Sequence, residues 1–449
     1  MADVTRRDAL AMGAAVLGAG IIPSAGARAA VTDVPMADVK PPSFPVEKDA
    51  TLRIMRPAKF VDPDETIFRA NTKAFTDKTG IPVRVDFVSW EDVLPQTAVT
   101  ANTGAGPDVI VGFSSAPQIY ASKLVNMTDL AEYLGAKYGG WFNLAQLYGK
   151  KWGTQDWISL PLGGGAGPTV YRVSWLKQAG YDTIPNDLPG FLDMAQKLKK
   201  IGHPVGFSLG HALGDATGFA NWLLWSHNAY LVDENGRIAL DSKETIAALK
   251  YAKELQKTMI DGTLSWNDAG NNQAYAAGQI SLTFNGVSIY YALKNSKDPA
   301  QRAMAEDTNH QLQPMGNASS SLQTATVLNA MLFKHSKYPN AAKEYLRFMM
   351  EAEQYGPWLS GCIGYWSEPL KSYAKMGFWT ADPKLGPYAQ AMDTIYYDGF
   401  KGPISPSSSA VAANYTVVDM FASVVTGAAT PEDAARQAAQ AAARYYNKA

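Results

Sequence analysis

Between Leu52 and Gly112 the chain switches repeatedly between two hydrophobic periods. Leu52–Met55 is a short β-prone run. Asp64–Lys78 places Ile67, Ala70, Ala74 and Phe75 on one helical face, and Gly80 supplies a stop. Val83–Val88 alternates Val83, Val85 and Phe87 against Arg84 and Asp86, as a strand does. Trp90–Asn102 reads as a second helix, and Asp108–Gly112 as a buried strand after the loop Gly104–Pro107. Strand–helix–strand–helix–strand demands a parallel sheet with right-handed crossovers. Such sheets bind ligands beyond the carboxyl ends of their strands. Here those ends are Arg56–Phe60, Ser89–Glu91 and Phe113–Gln118, which contribute Lys59, Trp90, Ser114, Ser115 and Gln118.

The second constraint is Leu160-Pro161-Leu162-Gly163-Gly164-Gly165-Ala166-Gly167-Pro168, flanked by the β-prone runs Asp156–Leu160 and Thr169–Val173. Four glycines between two prolines free the backbone at one spot and restrict it on either side. The stretch lacks the Lys-Ser/Thr pair of a Walker loop. It also misses the G-x-G-x-x-G spacing of a dinucleotide turn, where Pro168 or Val170 falls on the third glycine. It reads as a crossover between two lobes, lining a cleft. A plain flexible loop is the alternative.

A chain of 449 residues exceeds one ordinary hydrophobic core, so two lobes are the expectation. A formal net charge of −1 and the absence of basic runs interleaved with aromatics argue against nucleic acid as a partner. One cysteine, Cys362, leaves no intramolecular disulfide and no cysteine-based metal site. Near the start, Thr5-Arg6-Arg7-Asp8-Ala9-Leu10 is a twin-arginine pattern. The apolar stretch Leu10–Ile22 and the A-x-A site Ala27-Arg28-Ala29 follow it. That stretch is too short and too rich in Gly and Ala to span a bilayer, though a membrane anchor is the alternative. No cysteine follows for a lipid anchor. The expectation is a mature, periplasmic protein beginning near Ala30.

Farther on, Val31–Ala50 is a proline-rich arm, and Ser174–Ala179 and Pro189–Lys200 read as helices. Asp241 and Glu244 form an N-cap pair for a helix running through Met259. Asn271–Ala277 is a helix before the strand Gln279–Phe284 and the turn Asn285-Gly286. Pro339–Glu351 is a strongly periodic helix, and Thr430-Pro431-Glu432-Asp433 caps a last one reaching Tyr446.

Four blocks in this order carry a family resemblance: Gly106–Val111; Leu160–Tyr171 with Trp175–Gly180; Tyr275–Gln279 with Phe284–Gly286; and Ala341–Leu346 with the Thr430 cap. The chain resembles the extracytoplasmic solute-binding proteins of ABC importers, the sugar-binding family that includes maltose-binding protein. The resemblance implies an α/β fold of two lobes, each a mostly parallel sheet flanked by helices, joined by three crossings around a ligand cleft. The crossings would lie near Gly163–Gly167, Asp307–Gln313 and Gly364–Lys371. Residues 1–29 would be the signal peptide and 30–50 the arm. Residues 51–163 with 310–365 would form one lobe, and 164–309 with 366–449 the other. Implied partners are a small polar solute, the permease subunits and the twin-arginine export machinery, with no cofactor and the protein a monomer.

The family's ligand positions fall on Lys59, Ser114–Ser115 and Gly165, with Asp215–Trp222 and Asn414–Tyr415 entering from the second lobe. Sugars need aromatic faces for their C–H surfaces and directed acceptors and donors for their hydroxyls. Trp90, Tyr290 and Trp366, beside strand ends or crossings, are the candidate platforms, and Asn285 is a polar candidate at its turn. Ser288 replaces an aromatic that relatives often carry after the Asn-Gly turn. Gly165 replaces an acidic residue of some relatives. Both departures point away from a maltose-like oligosaccharide.

Three other chemistries fit parts of the sequence. Gly206-Phe207-Ser208-Leu209-Gly210 matches the nucleophile elbow of a serine hydrolase, but Gly210 and Gly214 disfavour the helix that must follow. His203, His211 and His227, or the pairs Tyr290-Tyr291 and Tyr396-Tyr397, are metal-ligand types without ligand spacing. An aromatic box for a quaternary ammonium stays open beside sugar stacking.

Overall fold

The computed structural model describes residues 34–114 and 116–447. The twin-arginine run, the cleavage site and Ser115 lie outside the described residues. The expected alternation builds the larger sheet: β1 (Leu52–Pro57) lies between β2 (Val83–Val88) and β3 (Val109–Phe113), parallel to both. The crossover helices have ends written into the sequence. In α1 (Asp62–Thr79) the acids Asp62, Asp64 and Glu65 sit in the first turn, where the helix dipole favours them. Gly80 ends it in the left-handed region at φ 75°. Ser89 caps α2 (Trp90–Thr103), accepting from Asp92 N at 3.2 Å.

The sheet is completed by β4 (Leu160–Ala166) and, later in the chain, β8 (Ala325–Leu332), in the order β2-β1-β3-β8-β4. Strand β8 enters from the other lobe, so it pairs antiparallel with both β3 and β4. A second sheet holds β5 (Thr169–Arg172), β6 (Leu282–Phe284) and β7 (Thr308–Gln311) in the order β6-β5-β7, all antiparallel. The two sheets are thus mixed and antiparallel, rather than mostly parallel as expected.

Around the second sheet lie α3 (Leu188–Lys200), α4 (Asp215–Trp225), α5 (Lys243–Gln256) and α6 (Gly270–Ala276). Ser242, not the Asp241–Glu244 pair, caps α5, because its hydroxyl is the one that reaches Thr245 N. α7 (Pro339–Met350) packs on the larger sheet's side, and α8 (Pro431–Tyr446) starts at the Thr430 cap as expected. Part of the N-terminal arm clings to the surface. Ala37 N donates to Lys137 O, and the Glu47 carboxylate accepts from Asn340 N and Ala341 N at the start of α7.

The glycine run is strand rather than open loop. Gly163–Ala166 pair with Leu328–Ala325 of β8, and none of the run's glycines has a positive φ. Their need for glycine is steric. A Cβ on Gly163 would stand 2.9 Å from Trp366 Cβ, and one on Gly164 would overlap Met392 Sδ. The chain then crosses to the second sheet at Gly167-Pro168. It returns at Leu322–Thr324, later than the expected Asp307–Gln313, because β7 itself pairs with β5. Gly364–Lys371 does not cross either. Ser367 exchanges backbone hydrogen bonds with Gly164, and Leu370 bridges Trp141. The third passage falls near Thr394, whose Oγ1 donates to Gln323 O at 3.0 Å, so it runs beside the second.

Candidate functional site

The passages form the floor of a cleft of about 120 Å³ between the two sheets. One wall comes from the carboxyl ends of β1, β2 and β3. Phe60 follows β1, Trp90 opens α2, and Phe113 and Ser114 end β3. Trp90 lies against Phe113 with centroids 4.4 Å apart, and Phe60 meets it edge-on at 5.4 Å. Trp366 lies parallel to Trp90, 3° from coplanar orientation with centroids 6.3 Å apart, and Tyr365 stands edge-on to it at 4.8 Å. Each indole is held by its N–H: Trp90 Nε1 donates to Ala58 O, and Trp366 Nε1 to Asp64 Oδ1. Asp64 is itself paired with the buried Arg56 at 2.7 Å. Fixed N–H groups leave the ring faces as the variable contact. Ser114 leaves β3 in the left-handed region at φ 43°, a costly conformation for a non-glycine residue.

The opposite wall is polar. Asp215, Thr217 and Asn221 come from α4, Asp268 precedes α6, Asn272 lies on it, and Asn285 and Ser288 follow β6. Asp268 caps α4: its Oδ1 accepts from Gly214 N at 3.0 Å and Asp215 N at 2.8 Å. Asn285 Nδ2 donates to Asn272 Oδ1 and to Ser288 Oγ. Three atoms of this wall, Asp215 Oδ2, Thr217 Oγ1 and Asp268 Oδ2, are out of contact with solvent and have no hydrogen-bond partner. Burial pushes the Asp268 carboxyl up to about 6, with Glu91 adding to the rise against the backbone N–H groups that oppose it. Burial, then the charge of Asp268, pushes Asp215 well above the ordinary carboxylate range. Buried polar groups in native proteins nearly always find partners, so these three unpaired atoms on one wall of the cleft are hydrogen-bonding capacity that the protein itself does not use.

Residues 70–387 match the family model described as bacterial extracellular solute-binding protein. The chain belongs to that family. This solute-binding protein is 24% identical over 299 residues to Escherichia coli (strain K12) YcjN, provisionally named an ABC transporter periplasmic-binding protein. That match spans 63% of this chain and 64% of the relative's length. Among solved structures, maltose-bound MalE3 of T. maritima superposes with a TM-score of 0.72 at 18% identity, covering 88% of this chain and 99% of that one. A sugar transporter of Arthrobacter chlorophenolicus A6 with bound laminaribiose also gives 0.72, at 14% identity and with the same coverage. An ABC transporter solute-binding protein of Agrobacterium vitis S4 with bound D-mannitol gives 0.70 at 16% identity, over 89% of this chain and 99% of that one. At these identities the likeness establishes the two-lobed fold.

Of the residues expected at the ligand, Trp90, Ser114, Gly165, Asp215, Asn285 and Trp366 line the cleft of this solute-binding protein. The others lie elsewhere, each for a visible reason. Lys59 is exposed and paired with Asp62 at 2.7 Å. Gln118 is buried between Lys150 O and Trp152 N, bridging two backbone segments. Trp222 is core: it packs on Phe219 and Phe284 and donates to Pro314 O. Tyr290 donates to Asp382. Tyr415, left-handed at φ 55°, stacks on His211 and lines the smaller hollow next door.

Sequence reasoning missed Asp268 and Asn272, and it named the segments of Phe60 and Thr217 without singling those residues out. The one local signal for Asp268 was an acid two residues before Gly270 and the helix it opens. Ser208 is no nucleophile elbow. It lies in irregular chain, buried, with Oγ donating to Trp266 O at 3.0 Å. His211 is bonded instead to Asp419, and His227 to Leu223 O. His203 stacks on Trp175. Among the described residues no group of three or more His, Cys, Asp or Glu could hold a metal, and no helix is long and apolar enough to cross a membrane.

Proposed function

We propose that this protein is the receptor of an ABC importer, holding one small hydroxylated solute between its sheets and presenting it to a permease. The observation that carries the reading is the two-sided cleft, with ring faces on one wall and unpartnered acceptors on the other. That is the division of labour a sugar or polyol requires. Relatives of the same fold hold maltose, laminaribiose and D-mannitol. The cleft of about 120 Å³ has room for roughly ten water-sized groups at 10–15 Å³ each. This is the scale of one sugar ring or a linear polyol. The solute touches both walls only when the lobes are together, so binding favours the closed form by that differential affinity. No chemistry is performed on the solute. The protein acts as a periplasmic monomer without cofactor, exported through the twin-arginine route.

A thermal-shift screen over hexoses, pentoses, polyols and their amino derivatives tests the receptor. A ligand at a hundred times its dissociation constant adds about 2.7 kcal/mol of stability. At least one member should raise Tm and change tryptophan fluorescence, and silence across the whole panel sinks the reading. Export is tested separately. Arg6→Lys with Arg7→Lys should strand uncleaved precursor in the cytoplasm, because the exporter reads paired guanidinium groups. Mature protein in the periplasm of that mutant counts against the twin-arginine assignment.

A further inference from the structure

The polar wall carries more than a hydroxyl-binding site needs. Asp268 is only 5% exposed and Asp215 is half-buried, yet each keeps one carboxylate oxygen with no partner. Among the described residues lining the cleft there is no Lys, Arg or His to balance them. The nearby charge from α2 is Glu91, which is also acidic. Capping α4 explains Asp268 Oδ1 but leaves its Oδ2 idle. Two buried carboxylates without a countercharge are costly, and within the protein alone burial and the neighbouring Asp268 make Asp215 keep its proton instead. A neutral hydroxyl leaves that cost in place, whereas a bound cation lets both ionise.

We infer that the solute is a hydroxylated ring or chain bearing a protonated primary amine, an amino sugar or aminocyclitol, with its ammonium at Asp215 and Asp268. An –NH₃⁺ group brings both the charge and the N–H donors these oxygens lack, and charge-assisted bonds of this kind are the strong ones. Thr217 Oγ1 and Asn272 are left for hydroxyls, and the half-buried Trp90 for the apolar face. A quaternary ammonium has no N–H to give and would leave the oxygens unpaired. This inference rests on the receptor reading above.

Calorimetric titration of the full chain with glucosamine and galactosamine, against glucose and galactose, tests it, with choline as the cation that has no N–H. An amino sugar should bind about tenfold to a hundredfold tighter than its parent sugar, the worth of a hydrogen bond to a charged group. That preference should collapse in Asp215→Asn and in Asp268→Asn. Asparagine keeps the Oδ1 acceptor that caps α4, and circular dichroism checks that both variants fold. Three results overturn the amine: equal affinity for amine and parent, tighter binding of choline than of either amino sugar, or no binding by either amino sugar. In each case a neutral solute found in the thermal-shift screen leaves the receptor reading standing. Silence in both experiments removes both.

Discussion

The two walls of the cleft are supported in opposite ways. The aromatic wall grows mainly from three strand ends of the larger sheet, with Tyr365 and Trp366 added from far along the chain, and its members pack on one another: Phe60 on Trp90, Trp90 on Phe113, Tyr365 on Trp366. The polar wall is gathered from separate segments. Asp268 reaches its two α4 backbone donors across 54 and 53 residues, and Asn285 reaches Asn272 across 13. The first wall is complete before a ligand arrives, while the second keeps unpaired atoms. Rings tolerate being empty because they touch each other, whereas idle carboxylates do not, so the polar wall holds the larger share of discrimination.

The strongest way to break this contrast is at Trp366, which is 1% exposed and packs over Gly163. Trp366→Ala should cost about 3–5 kcal/mol of stability, as large-to-small changes of buried aromatics do. Urea unfolding measures it, and a loss near zero would mean that the ring is not part of the core.

Next comes the polar wall. The unfolded Asp268 carboxyl ionises near 3.8, while in the folded protein it holds its proton to about 6. Across that window the folded state binds more protons, so stability falls as pH rises. The Tm of ligand-free protein should therefore drop between about pH 4 and about pH 6, by a free energy on the order of 3 kcal/mol. Asp268→Asn should remove that part of the slope. Glu91 pushes the same way, and the N–H groups of Asp215, Gly214 and Leu213 push back. A wild-type slope in the variant would assign the pH dependence elsewhere.

Smaller effects sharpen the comparison. Trp90 is half-buried, and Trp90→Ala should weaken binding of whichever solute the screen identifies by roughly 1–3 kcal/mol. A fluorescence titration with unchanged affinity would detach this ring from the ligand. Ser208→Ala loses one hydrogen bond to Trp266 O, worth about 0.5–1.5 kcal/mol of stability. It should leave solute affinity untouched. Ester turnover by the wild type that vanishes in this variant would bring the hydrolase back.

Much of the aromatic wall was legible because it obeys a local rule. A strand, a turn and a crossover helix place the turn at the carboxyl end of the sheet, and Trp90 and Ser114 sit in such turns. The same rule brought in Lys59 and Gln118, since it names a loop and says nothing of which way each side chain turns. Lys59 bends outward to Asp62, and Gln118 turns inward to bridge Lys150 and Trp152. The glycine run was legible as a crossover, but the reason for its glycines was not. They admit Trp366 and Met392, which lie some two hundred residues later and far beyond the reach of any local pattern.

By itself the sequence determined the elements whose signals are local: the first three strands and two helices, the cap at Thr430 and the stop at Gly80. Each is set by neighbours within a turn or two of chain, which is why periodicity and capping residues suffice. Only the tertiary structure decided that β8 would run against β3 and β4, and that the crossings would gather at Thr324 and Thr394. It alone set Asp268 at the start of α4 beside Asp215. Those choices are made by contacts between distant segments, where many pairings satisfy the same hydrophobic pattern and burial against one particular partner selects among them.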